Sequence, residues 1–424
     1  MPLSSRLSAG ALALGLATAA QAEPVALEVL YNLPGFTRFH QPLAEAFMER
    51  NPDIRIEFRA PAVAYNEGHQ QILRSAVTGG LPDVYFSGYM LLGDLVATLA
   101  PRGQIASLQP FLEAEPAGWA AENYAPSMLS LGQIGGEQWG LPVNASSPIM
   151  YVNADLVRQA GGDPEAMPDT WPELLDLAVR INGLGDSIAG IGYDVSGWPD
   201  DWLWQAMILQ QGGQMTDPVT GQVAFDNELG LKALTYIRDF VSEAGQPVLD
   251  WDQSRQQFGA GLTGIIFSTP AHVQTVEELV GDRFELVTDT FPLDDKEAGG
   301  VPTGGNAAVI LSEDAGKRAA AWSYLKWVTS PEAQDMIVRI TGYLPTNVRA
   351  TGEDYLAPYY AEHPNTETAA RQAGRARPYL GYPGGDSVRI WRAQAEIIAR
   401  VQRGELSPED GLAELAAATG SMMN

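Results

Sequence analysis

Between residues 25 and 100 the chain alternates strand and helix without interruption. "VALEVLYNL" (25–33) has the two-residue periodicity of a half-buried strand. "FHQPLAEAFMERNP" (39–52) repeats apolar residues at helical spacing until Asn51-Pro52 stops it. "DIRIEFRA" (53–60) alternates again, and "YNEGHQQILRSAVTGG" (65–80) is helical up to a glycine stop. "PDVYFSG" (82–88) is an apolar strand, and "YMLLGDLVATLA" (89–100) is helical once more. Strands separated by helices cannot pair as tight hairpins. They need crossovers, which predicts a parallel or mixed sheet with helices on both faces. The chain is therefore α/β, and at 424 residues it exceeds one ordinary core.

A second unit opens near 134. "GGEQWGLPVNASSPIMYVNADLVRQAG" (135–161) reads strand, polar loop, strand and helix start. Helices are expected at 170–183, with Thr170 and Glu173 as a capping box, at 200–213, and at 225–245 behind Asp226 or Asn227. Strands are expected at 188–195, 258–270, 284–293 and 306–311. Two helices flank Ser330-Pro331, and two more close the chain, the last capped by Ser407. Gly/Pro punctuation near 132–143 and 299–305 marks crossings between two α/β lobes. A chain that crosses more than once makes a hinge, and the cleft between the lobes is the default ligand position. The expected boundaries are 1–22 for an export signal, 23–133 with 303–343 for the N-terminal lobe, and 134–302 with 344–424 for the C-terminal lobe.

The signal is read from one basic charge in Met1–Arg6, the short apolar run "LSAGALALGLATAA", and "AQA" before Glu23. The mature protein is expected to be soluble and periplasmic. The absence of cysteine excludes a disulfide framework and a lipid-bearing cysteine at the cleavage point. A formal charge of −26 repels phosphate backbones, and no run of four basic residues offsets it, so nucleic acid is not expected as a partner. No glycine-rich nucleotide fingerprint follows a strand. The four histidines (His40, His69, His272, His363) lie in no metal-ligand spacing, and no G-x-S-x-G elbow is present. No cofactor and no metal is expected. A secreted carbohydrate-active enzyme stays open as the alternative, because a glycosidase pair could hide among 52 acids.

Binding chemistry is better represented. Polyhydroxylated ligands need aromatic faces for their C–H surfaces and short polar groups for their hydroxyls. Both occur at the expected strand–loop junctions. Tyr65 follows the second strand, and Asp83 and Ser87 surround the third. Asn144 and Ser147 precede a strand, Ser268 and Thr269 end another, and Gly305 opens "AAVIL". Trp198 and Trp202 stand beside Asp200-Asp201. Tyr343 sits in "RITGYLPTN" (339–347), where Gly342 and Pro345 stop a helix. Arg375, Arg377 and Arg389 are the candidates for an anionic group, Arg389 foremost.

"LPDVYFSG", "WGLPVNASSPIMYVNADLVRQAG", "TWPELLDLA", "FGAGLTGIIFSTP", "VPTGGNAAVIL", "AAAWSYLKWVTSPEAQDMIVRITGYLPTN" and "RGELSPEDGLAEL" occur in this order along the mature chain. Together they resemble the extracellular solute-binding proteins of sugar-type ABC importers, within the branch that includes glycerol-3-phosphate binders. The resemblance implies a two-lobed periplasmic-binding-protein fold (type II, maltose-binding-like) that closes on its ligand without catalysis. It also implies transmembrane permease subunits as partners, and the protein is expected to act as a monomer. It places ligand contacts at Tyr65, Ser147, Ser268 or Thr269, Gly305 and Tyr343. Two positions depart from the glycerol-phosphate pattern. Phe86 and Ser87 stand where an acid is expected, and "GYPGGDSVRIW" replaces the arginine-bearing segment. A carbohydrate or glycosyl-glycerol ligand is the resulting expectation. Glycerol-3-phosphate or a glycerophosphodiester is the alternative.

Overall fold

A computed structural model describes residues 24–384 and 387–423; the expected signal segment lies outside the described residues. Strands β1 (Val25–Leu30), β2 (Ile54–Phe58) and β3 (Val84–Gly88) pair in parallel, β1 in the middle. Their crossovers are the helices Thr37–Arg50 and Tyr65–Thr78, as the alternation requires. A small β4–β5 hairpin (Gln133–Ile134, Glu137–Gln138) leads into β6 (Leu141–Ser146). The chain then steps across to a second sheet made of β7 (Ile149–Asn153), β8 (Ala189–Gly192), β9 (Thr263–Ser268) and β10 (Leu286–Asp289), ordered β10-β7-β9-β8.

Strand β11 (Val301–Ile310) brings the chain back. Its second half pairs antiparallel with β3 and with β6, and its first residues pair in parallel with β12 (Ala376–Pro378). The first sheet is thus ordered β12-β11-β3-β1-β2, with β6 also on β11. This differs from the boundary expected at 134. Leu141–Ser146 belongs to the first sheet because its backbone is paired to β11 there. Nor does the first lobe end at 343: Leu344 bridges Ala145, and the Asn347 amide donates to Asn123 and Thr329. A third passage follows, since Pro364–Arg371 packs against β10 through Asn365 and Thr368 on Thr288.

Each lobe has its own core. In the first, Phe39, Phe47, Phe86, Tyr324 and Leu325 fill the space between the sheet and the helices Thr37–Arg50 and Ala315–Val328. In the second, Trp171 is fully buried, its ring centroid 5.2–5.5 Å from those of Tyr193, Phe240, Phe267 and Phe291. Cap chemistry follows the sequence in part. Asn227, rather than Asp226, accepts the first N–H groups of Glu228–Ser242, and Ser407 caps Pro408–Met422. At Thr170 the hydroxyl bonds the Glu173 carboxylate (2.9 Å) instead of a backbone N–H, so the capping box is replaced by a side-chain pair.

Candidate functional site

A cavity of about 160 Å³ lies where the two lobes meet, and its wall is mainly aromatic. Tyr65 opens the helix Tyr65–Thr78 and donates its hydroxyl to Asn306 on β11 (3.2 Å). Tyr343 follows the helix Pro331–Thr341, which stops because Gly342 takes the left-handed conformation (φ 73). A Cβ at Gly342 would also lie 2.7 Å from the Pro270 carbonyl of the other lobe, so the close approach of the lobes demands glycine there. The Tyr343 ring packs edge-on against Phe36.

From the second lobe come Trp198 and Trp202, with centroids 5.3 Å apart and planes inclined at 32°. Trp202 is anchored through its indole N–H to the Pro302 carbonyl (2.9 Å), on the crossing strand. Tyr379, next after β12, completes the wall and donates to Asp201 (2.9 Å). Short polar groups stand between the rings: Ser146 Oγ and Thr269 Oγ1 bond each other (2.7 Å) across the lobes. Gly304 and Gly305 bring backbone close; Gly305 has φ 121, and a Cβ there would meet the Asn144 carbonyl at 2.1 Å.

One charge faces this cavity, and it is negative. Asp200 lines it, with a carboxylate oxygen accepting the Trp202 N–H (3.0 Å). Burial pushes its carboxyl up to about 6, against the hydrogen bonds from Trp202 and Tyr379. Asp201 behind it is pushed up to about 7 by burial and by the Asp200 charge. Gln205, Tyr382 and Tyr379 hold its carboxylate and oppose the rise. Among the described residues no lysine, arginine or histidine lines the cavity, although the Arg38 charge acts on Tyr343. Burial likewise raises the Tyr343 phenol to about 12 and the Tyr65 phenol well above its usual range. All these phenols are neutral hydroxyls at neutral pH. Leu33, on the cavity wall, is the only non-glycine with positive φ among the described residues (φ 63). Such strain is commonly held at binding sites.

Six of the sequence candidates meet here: Tyr65, Trp198, Trp202, Thr269, Gly305 and Tyr343. The other six do not line the cavity. Asp83 sits at the opposite end of β3, its carboxylate taken by the Glu28 N–H and Lys317. Ser87 is fully buried within the sheet and bonds the Gly88 carbonyl. Ser147 is tied to Thr303 and Ser268 to His272. The Asn144 side chain is buried beneath β11 with no hydrogen-bond partner, and Arg389 lies in the helix Ser387–Gln402, off the cavity wall. Sequence reasoning named neither Leu33, Met90 nor Tyr379, and treated Asp200 only as a neighbour of tryptophans. The doubled aspartate beside an aromatic cluster was the one signal available. Among the described residues no group of three or more His, Asp or Glu is placed to hold a metal ion.

The model of the bacterial extracellular solute-binding protein family matches residues 32–335. The chain belongs to that family. It is a periplasmic, non-catalytic solute-binding protein with a two-lobed, type II α/β fold. This solute-binding protein is 23% identical over 386 residues to the sn-glycerol-3-phosphate-binding periplasmic protein UgpB of Escherichia coli K12. The match covers 86% of this chain and 84% of the relative. Among solved structures it resembles the sugar-binding protein MalE of Xanthomonas citri (TM-score 0.81, 20% identity, 94% of this chain and 97% of that one). It also resembles the cyclic alpha-maltosyl-1,6-maltose binding protein of Arthrobacter globiformis (TM-score 0.79, 22% identity, 94% and 99%).

Proposed function

We propose that this solute-binding protein is the capture component of an ABC importer, and that the aromatic cavity takes a neutral carbohydrate or glycosyl-glycerol type solute. The observation that carries the reading is the wall itself: among the described residues it has five aromatic rings, one carboxylate and no cation. Aromatic faces suit the C–H surface of a sugar ring, and its hydroxyls can donate to the Asp200 carboxylate or to Ser146 and Thr269. A phosphate group would be placed opposite Asp200 with no Lys or Arg among the described lining residues to offset it, at a cost that rises in a site of low dielectric. The relatives divide on this point, for UgpB is named for sn-glycerol-3-phosphate while MalE is named as a sugar-binding protein. The charge pattern of this chain favours the sugar.

Function then follows from where the wall residues come from. Tyr65 and Tyr343 belong to the first lobe, and Trp198, Trp202 and Thr269 to the second. A solute touching both sets binds the closed arrangement better than the open one and shifts the population toward closed. Permease subunits would then receive the closed, loaded form. Calorimetry with glucose, galactose, glucosylglycerol and sn-glycerol-3-phosphate tests the reading. Heat from a neutral member and none from the phosphate supports it; saturable binding of the phosphate alone overturns it.

A further inference from the structure

Beside the aromatic compartment lies a second, larger one of about 610 Å³, walled by Asn66, His69, Gln70, Asp94, Gln133 and Tyr382 among others. One residue, Met90, lines both. It stands in the first turn of the helix Tyr89–Leu99, which belongs to the first lobe. Yet it is 7% exposed and packed into the same apolar cluster as Trp202, Tyr379 and Tyr382 of the second. Its thioether covers Gly88 beside the Tyr65 ring. A Cβ placed on Gly88 would meet Met90 Sδ at 2.9 Å and Tyr65 Cδ1 at 3.0 Å.

The backbone of Met90 is held as firmly as its side chain. Its carbonyl accepts the Gly381 N–H (3.0 Å), a hydrogen bond that joins the lobes. A Cβ at Gly381 would lie 2.4 Å from that same oxygen, so only glycine permits the contact. Met90 is thus wedged where the two compartments adjoin, and the first compartment is small. It offers about 160 Å³, against about 610 Å³ for the second.

We propose that Met90, pinned by Gly381, is the partition that sets the length of the ligand. It closes the aromatic compartment against a second ring and leaves the larger compartment beyond it as space that a longer saccharide would enter if the side chain were cut back. Methionine suits this position because its unbranched, polarizable side chain fills an irregular gap. The proposal rests on the carbohydrate reading of the aromatic compartment.

The test is calorimetry of wild type, Met90→Ala and Met90→Leu with matched pairs: glucose and maltose, galactose and lactose, xylose and xylobiose. Wild type and the volume-conserving Met90→Leu are expected to bind a monosaccharide at least tenfold more tightly than its disaccharide. Met90→Ala is expected to lower that ratio at least tenfold, and its crystal structure to show the compartments joined. A wild type that binds a disaccharide as tightly as the monosaccharide overturns the proposal, and this arm needs no variant to fold. A ratio unchanged in Met90→Ala, or compartments still separate, overturns it too. Failure of the carbohydrate reading looks different: no saccharide binds wild type or variant, and the partition falls with it.

Discussion

Replacing Tyr343 by alanine removes one ring of the cavity wall and its packing against the edge of the first-lobe core, including the edge-on contact with Phe36. Losing such a face is expected to cost about 1 kcal/mol or somewhat more in binding, a fall of roughly tenfold in affinity. The free protein should melt within a few degrees of wild type; calorimetry showing unchanged affinity would remove Tyr343 from the site. Asp200 gives a second residue-scale prediction. Its carboxyl titrates at about 6, and only the ionised form offers acceptors at both oxygens. Affinity for a neutral sugar should therefore weaken as pH falls below about 6, and Asp200→Asn should flatten that dependence. A wild-type affinity constant from pH 8 to pH 4.5 would contradict this. Of these two residues, Tyr343 was legible in the sequence because a glycine–proline helix stop displayed it. Asp200 was legible only as part of the doubled aspartate beside the tryptophans, because sequence alone does not say which of the two carboxylates faces the cavity.

Among the elements, the crossing strand β11 carries the most consequence. The sequence suggested only "NAAVIL", since Pro302, Gly304 and Gly305 weaken any strand signal; the strand in fact spans Val301–Ile310. Gly305 is there because β6 runs too close to admit a side chain, whereas a Cβ at Gly304 would meet its nearest neighbours at an ordinary 3.8 Å. At Gly305 a Cβ would lie 2.1 Å from the Asn144 carbonyl, in a backbone conformation that disfavours any L side chain. Gly305→Ala should destabilise the protein by about 3 kcal/mol or more, seen as a clear drop in the urea midpoint. A midpoint unchanged by that substitution would contradict the account of the hinge. Helices were easier to find from sequence. Apolar spacing located Tyr65–Thr78, Trp171–Asn182 and Glu228–Ser242 within a few residues, because one face of each is buried.

At the scale of the whole molecule, alternation of strand and helix was enough to fix the α/β class, but not the point where one lobe ends. Leu141–Ser146 lies after the punctuation near 132–143 begins, and only its pairing with β11 assigns it to the first sheet. The second lobe is tied together by buried polar chemistry at Asp201, which holds Tyr379 and Tyr382 against the helix Trp202–Leu209. Burial raises that carboxyl from an ordinary 3.8 to about 7. A raised acid holds its proton better in the folded state, so its contribution is full below about pH 4 and is lost as pH climbs to about 7. The stability of Asp201→Asn relative to wild type should therefore rise between pH 4 and pH 7, by up to a few kcal/mol, and level off above. A difference independent of pH would contradict the burial of that charge.

The proposed selection of a neutral polyhydroxylated solute by the aromatic cavity between the lobes, whose described lining residues carry no cation, can be tested on the native ligand. Protein purified without refolding, then denatured and its released solute weighed by mass spectrometry, tests it most directly. The predicted result is a stoichiometric neutral species with the mass of a monosaccharide or a glycosyl-glycerol. A phosphate-bearing solute in that fraction would contradict the account.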